Sequence, residues 1–166
     1  AKTFAIMKEF IPFLQNEGYK VGVYFWSLWL GDIEEEELLS NVMIRGNGTP
    51  KINKTALNSN EKRLSGFICP TSKKIECMLD IIRLAAPYAP DVILLNDDMG
   101  YATYLESIGC YCDRHLAMIR EKLGQDISRE ELRQAVAFGK PNEIRSIWYE
   151  ITGKSLEDYA LRIRQV

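Results

Sequence analysis

Asp91-Val92-Ile93-Leu94-Leu95-Asn96-Asp97-Asp98-Met99-Gly100, running on to Gly109-Cys110-Tyr111-Cys112-Asp113-Arg114-His115, holds two patterns around which the rest of the chain is arranged. Four consecutive apolar residues, Val92 to Leu95, are the pattern of a strand buried on both faces, and such strands belong to parallel sheets covered by helices. Asn96, Asp97 and Asp98 follow at its carboxyl end. In barrels and open sheets of parallel strands the reactive groups gather there, because the loops leaving that end converge on one crevice. Asp97 and Asp98 are therefore candidate catalytic carboxylates; the plainer reading of adjacent carboxylates is a solvated loop.

Cys110-x-Cys112-x-x-His115 is the second pattern. It sets two soft thiolates and an imidazole within one loop and the first turn of a helix. Zinc in structural sites favours a closed tetrahedron of Cys and His, and this run supplies three of four ligands. Cys69, in the loop Cys69-Pro70-Thr71-Ser72, is the best candidate for the fourth. Cys77 falls inside the following helix, on the side that reads as packed. The alternative is a set of separate buried thiols and a surface histidine.

A chain of 166 residues with 46% hydrophobic residues has the size and apolar content of a single domain spanning 1–166. Its net charge of −2 offers no basic footprint for nucleic acid. No apolar run has the length of a membrane span, and the N-terminal residues lack the order of a signal peptide. Four unevenly spaced cysteines point to metal or free thiols rather than a disulfide framework. A reducing, cytoplasmic setting is expected.

From the N-terminus, Thr3 to Gln15 carries Phe4, Met7, Phe10, Ile11 and Leu14 at helical spacing, mildly interrupted by Pro12, and Gly18 suits the position after a last turn. Lys20 to Trp26 then reads as a strand, with Ser27, Leu28 and Trp29 leaving its end. Trp26 and Trp29 are candidates to stack on a sugar; core packing is the alternative. Glu34 to Glu37 opens a short helix where carboxylates suit the dipole. Arg45 to Ser65 reads as a long excursion holding at most a short hairpin. Phe67-Ile68 enters Cys69-Pro70, and Ser72 is placed to cap a helix from Lys73 to about Ala86, whose buried face is Ile75, Met78, Leu79, Ile82 and Ala86.

Beyond the organising stretch, Asp113 to Leu123 reads as a helix ended by Gly124. Ser128-x-x-Glu131 is a capping box for a helix near Arg129 to Phe138, and a last helix runs from about Asn142 to Arg164. Its stripe is Ile144, Ile147, Trp148, Ile151, Leu156, Tyr159 and Ile163. The alternation predicts an α/β fold with parallel strands. Two long strands are too few for such a sheet, so the chain is expected to be a segment of a (β/α)8 barrel with extra C-terminal helices. A small mixed-sheet domain borrowing the long loop is the competing arrangement.

The run Cys69-Pro70-Thr71-Ser72, a helix, a strand ending Asn96-Asp97, and Cys110-Tyr111-Cys112-Asp113-x-His115 resembles, in order and spacing, the central part of a family 42 glycoside hydrolase. The resemblance covers roughly Thr3 to Leu123. It implies a retaining β-galactosidase-like (β/α)8 barrel in which a strand ending Asn-Glu carries the acid/base and, in some members, a cysteine cluster binds zinc. Here Asp97 stands in place of that glutamate, with Asp98 beside it, and His115 in place of a third cysteine.

By the same resemblance, Asn96 holds the sugar 2-hydroxyl, Trp26 and Trp29 form a stacking wall, and Cys69, Cys110, Cys112 and His115 bind one zinc ion. Retaining hydrolysis needs a second carboxylate about 5 Å away. The family's nucleophile lies on a later strand that nothing after Leu123 resembles. The segment is thus expected to be inactive alone, and to self-associate or belong to a longer chain. A non-catalytic carbohydrate-binding or structural relative, and a metal-dependent hydrolase with Asp97 and Asp98 as ligands, are the other readings.

Overall fold

The computed structural model describes residues 2–25, 28–53, 63–95, 109–137 and 141–166. Helix α1 (Lys2–Asn16) leads into strand β1 (Gly22–Phe25), and β2 (Trp29–Glu34) runs into the short helix α2 (Glu35–Leu39). Strands β3 (Ile52–Asn53) and β4 (Arg63–Phe67) precede helix α3 (Ile75–Ala85), a 3-10 turn and strand β5 (Val92–Leu95). Helices α4 (Asp113–Leu123), α5 (Arg129–Ala137) and α6 (Glu143–Arg164) complete the order. None of the described helices is long and apolar enough to cross a membrane.

The fold is mixed α/β. Strands β1 and β5 pair in parallel, with Gly22 beside Val92 and Phe25 beside Leu95, so two helix-then-strand units lie side by side. A separate antiparallel sheet has the order β2-β4-β3. The 45–65 stretch thus contributes a short antiparallel pair, but to this second sheet. Trp29, expected only to leave the end of β1, begins β2 and pairs with Phe67.

Val92 to Leu95 is not buried on both faces, as its composition predicts. Val92 and Leu94 are 46% and 50% exposed, and Tyr24 on the paired strand is 56% exposed. Alternate residues of a strand point to opposite faces. Phe25 and Leu95 border a cavity with Met78, Ile81 and Ile82 of α3, while Val92 and Leu94 stay about half exposed.

Helix punctuation follows the local chemistry. Gly124 ends α4 in the left-handed region at φ 67°, which glycine adopts without a Cβ penalty. At α5 the capping box is complete: Glu131 accepts from the Ser128 backbone N–H at 2.7 Å, and its own N–H donates to Ser128 Oγ at 3.2 Å. Asn142 caps α6 by accepting from the Arg145 N–H at 2.8 Å. Ser72 does not cap α3. The helix begins two residues later than expected, at Ile75, and Ser72 Oγ is buried with no partner among the described residues. The buried face of α3 ends at Ala85 rather than Ala86, Cys77 is half-buried rather than packed, and Phe10 of α1 is exposed.

Three clusters of buried side chains make the core. Leu38, Val42 and Ile68 join α2 to the antiparallel sheet. Leu116, Ile119, Leu132, Val136, Ile147, Trp148 and Ile151 fill the space between α4, α5 and α6. In the central cluster Leu28, Met43, Ile75, Leu79 and Tyr159 surround Cys69, Cys110 and Cys112. The thiols therefore lie where the sheet, α3 and α6 meet.

Candidate metal centre

Each ligand side chain is aimed by its own backbone. Cys69 leaves β4 with its N–H donated to the Asn41 carbonyl at 2.9 Å, and its carbonyl accepts from the Ser72 N–H at 2.9 Å, closing a turn. Tyr111 anchors the other loop. Its N–H donates to the Ile44 carbonyl at 2.8 Å, its carbonyl accepts from Arg129 Nε at 2.9 Å, and its ring packs on Trp148. Tyr111 packs into the cluster between α4, α5 and α6, whereas Cys110 and Cys112 pack into the central one. Cys112 is the N-cap of α4, and His115 follows one turn later.

Gly109 makes this loop entry feasible. It sits at φ 74°, and a Cβ there would come within 2.2 Å of the Trp148 ring. Its carbonyl accepts from the buried Lys51 Nζ at 3.0 Å.

All four candidate ligands are buried, and their ligand atoms lie within 4.8 Å of one another. Cys69 Sγ is 3.7 Å from Cys112 Sγ and 3.5 Å from His115 Nδ1, and Cys112 Sγ is 3.4 Å from Nδ1. A tetrahedral zinc ion with ordinary Zn–S and Zn–N lengths sets edges of about 3.8 Å between sulfurs and about 3.6 Å between sulfur and nitrogen. The donor set and its spacing fit that ion.

Side-chain hydrogen bonds from Cys110 and Cys112 hold the Cys69 thiol far below its ordinary value, against the opposing effect of burial. Thr71 adds to the effect, with its Oγ1 3.1 Å from Cys69 Sγ. Burial instead pushes Cys110 well above the usual thiol range. A dication held between these buried sulfurs would offset the charge of thiolate ligands in a site shielded from water.

No protein-family model, curated protein or solved structure matches this chain.

Asn96, Asp97, Asp98 and Trp26 lie outside the described residues. Trp29 is described. It is half-buried, stands edge-on to Phe67 with ring centres 4.8 Å apart, and lines a cavity of about 430 Å³. Phe25 and Leu95, the last residues of the two parallel strands, line the same cavity with Tyr24 and Tyr159.

Ser155, which the sequence reading does not single out, touches the centre: its Oγ is 3.2 Å from His115 Nε2. A signal for it exists in α6. Ser155 sits four residues after Ile151 and four before Tyr159, a hydroxyl within the apolar stripe, and a buried polar group at such a position requires a partner. Thr71 carries no comparable signal, because loop threonines are common.

Proposed function

We propose that this chain is a zinc-fastened segment of a retaining glycoside hydrolase-type barrel that carries the acid/base side of a carbohydrate site. The convergence of Cys69, Cys110, Cys112 and His115 from separate stretches of the chain carries this reading. Four protein ligands leave no open position for water, so zinc here fastens the loop after β4 to the loop before α4 and supplies no chemistry to the reaction.

Two features support the sugar site. The cavity bordered by Trp29 opens beside the carboxyl ends of β1 and β5, where parallel-stranded enzymes bind substrate. The half-exposed apolar face of Val92 and Leu94 suits a sheet that a further layer covers, since parallel sheets are covered on both sides. In this reading Asp97 protonates the leaving glycosidic oxygen, Asn96 orients the sugar 2-hydroxyl, and the nucleophilic carboxylate comes from a later strand.

A panel of aryl glycosides tests the reading. The segment alone is expected to give no turnover, and the polypeptide that carries it is expected to lose at least about a hundredfold on Asp97→Asn. Loss on Asp98→Asn alone moves the acid by one residue. Full activity in both variants, or turnover by the isolated segment, removes the assignment.

A further inference from the structure

We propose that Ser155 is the positioning residue of the metal centre, and that through it zinc occupancy and the docking of α6 form one linked equilibrium; this rests on the zinc reading above. The hydrogen-bond directions are fixed by counting protons. Ser155 Oγ–H donates to the Ile151 carbonyl at 2.9 Å, which spends the only proton of the hydroxyl. Toward His115 that oxygen is an acceptor, so Nε2 carries the proton and donates across 3.2 Å. In a neutral imidazole the other nitrogen then holds a lone pair. That nitrogen, Nδ1, is the one lying 3.5 Å and 3.4 Å from the sulfurs of Cys69 and Cys112.

His115 is fully buried, so ligation through Nδ1 leaves an Nε2–H that cannot reach water. Ser155 satisfies it from a different helix. A second partner of this kind fixes the ring orientation of a metal-bound histidine and typically contributes 10- to 100-fold to metal affinity. Because Ser155 belongs to α6, the bond exists only while α6 is docked. Linkage is reciprocal: whatever holds α6 in place tightens metal, and metal holds α6. Arg162 of α6 pairs with Glu76 of α3, so the docked helix also reaches the element that follows Cys69.

Thr152 supplies the control. It is buried on the same helix and donates to the Trp148 carbonyl at 2.8 Å, the same back-bond that Ser155 makes. Thr152→Val removes a helix-bonded hydroxyl away from the histidine, whereas Ser155→Ala removes the one that His115 uses.

Zinc affinity is measured by competition with a chromophoric chelator for the whole chain and its variants. Ser155→Ala is expected to bind zinc 10- to 100-fold more weakly, and Thr152→Val within about twofold of the parent, with Ser155→Thr restoring most of the affinity. Nitrogen-15 correlation spectra of the zinc-loaded protein read the bond directly, because His115 is the only histidine. A slowly exchanging Nε2–H is expected in the parent and in Ser155→Thr, and a rapidly exchanging one in Ser155→Ala. Chelation is expected to raise amide exchange along α6.

Equal affinity and equal Nε2–H protection in Ser155→Ala overturn the role of Ser155 and leave the zinc reading standing. Equal weakening by Thr152→Val overturns it as a general helix effect. A parent protein that takes up no zinc removes both.

Discussion

Cys69 Sγ and Cys112 Sγ lie 3.7 Å apart although 43 positions separate them in the chain. The unfolded chain does not hold them at that distance, so an ion bound by both, with Cys110 and His115, favours the folded state by its own binding free energy. Zinc is expected at one equivalent per chain. With zinc near a thousand times its dissociation constant, chelation lowers the melting temperature by about 10 °C. Cys112→Ser should melt near the chelated value and no longer respond to chelator; plasma emission analysis with calorimetry measures both. Less than about a tenth of an equivalent under reducing conditions contradicts the site.

Gly109→Ala is expected to destabilise by about 3 kcal/mol. The new Cβ adds backbone strain at positive φ to a steric conflict with the Trp148 ring. Because Gly109 leads directly into Cys110, the variant should also bind zinc more weakly. Urea unfolding with chelator competition reads the two effects separately.

Asp91 gives a pH dependence with a definite sign. Its carboxylate accepts from the Val21 N–H at 2.9 Å, Gln15 Nε2 at 3.1 Å and Lys20 Nζ at 3.0 Å. These bonds, the Val21 N–H foremost, lower its pKa from 3.8 to about 2. A carboxyl whose folded value is depressed contributes stability that is present above its unfolded pKa and is lost as pH falls through the folded one. The difference in melting temperature between the parent and Asp91→Asn should therefore be full above about pH 5 and shrink toward pH 2. Thermal melts across that range check it, made in the Cys112→Ser background so that acid release of metal does not contribute. A constant gap contradicts the assignment.

Asn142→Ala removes the α6 cap and should cost about 1 kcal/mol in urea unfolding. Zinc stoichiometry should stay unchanged, because the cap lies at the far end of the helix from Ser155.

Where a feature depended on neighbours within one helical turn, residue types were sufficient to read it. Gly124, the Ser128–Glu131 box and the Asn142 cap act through backbone groups three or four residues away. The boundaries of α4 and the start of α5 followed from them. Ser72 does not act as a cap: its N–H closes a turn on the Cys69 carbonyl, and the helix starts only at Ile75. The metal set was also legible. Cys-x-Cys-x-x-His is a local spacing, and Cys69 was the better remaining thiol because it lies in a loop, whereas Cys77 lies within a helix.

Sequence by itself determined the helices, the caps at Gly124, Ser128 and Asn142, the parallel strand pair and the identity of four residues that converge, Cys69, Cys110, Cys112 and His115, because each is written in side-chain period or residue chemistry over a few positions. Tertiary structure alone decided that β2, β4 and β3 form a second, antiparallel sheet, and that Val92 and Leu94 remain about half exposed. It also decided that Ser155, 40 positions away, lies 3.2 Å from His115 Nε2. The physical reason is that apolar content reports how much surface a strand needs to bury, but not which element arrives to bury it. Likewise, a hydroxyl in an apolar stripe reports the need for a partner, and only packing between helices supplies one.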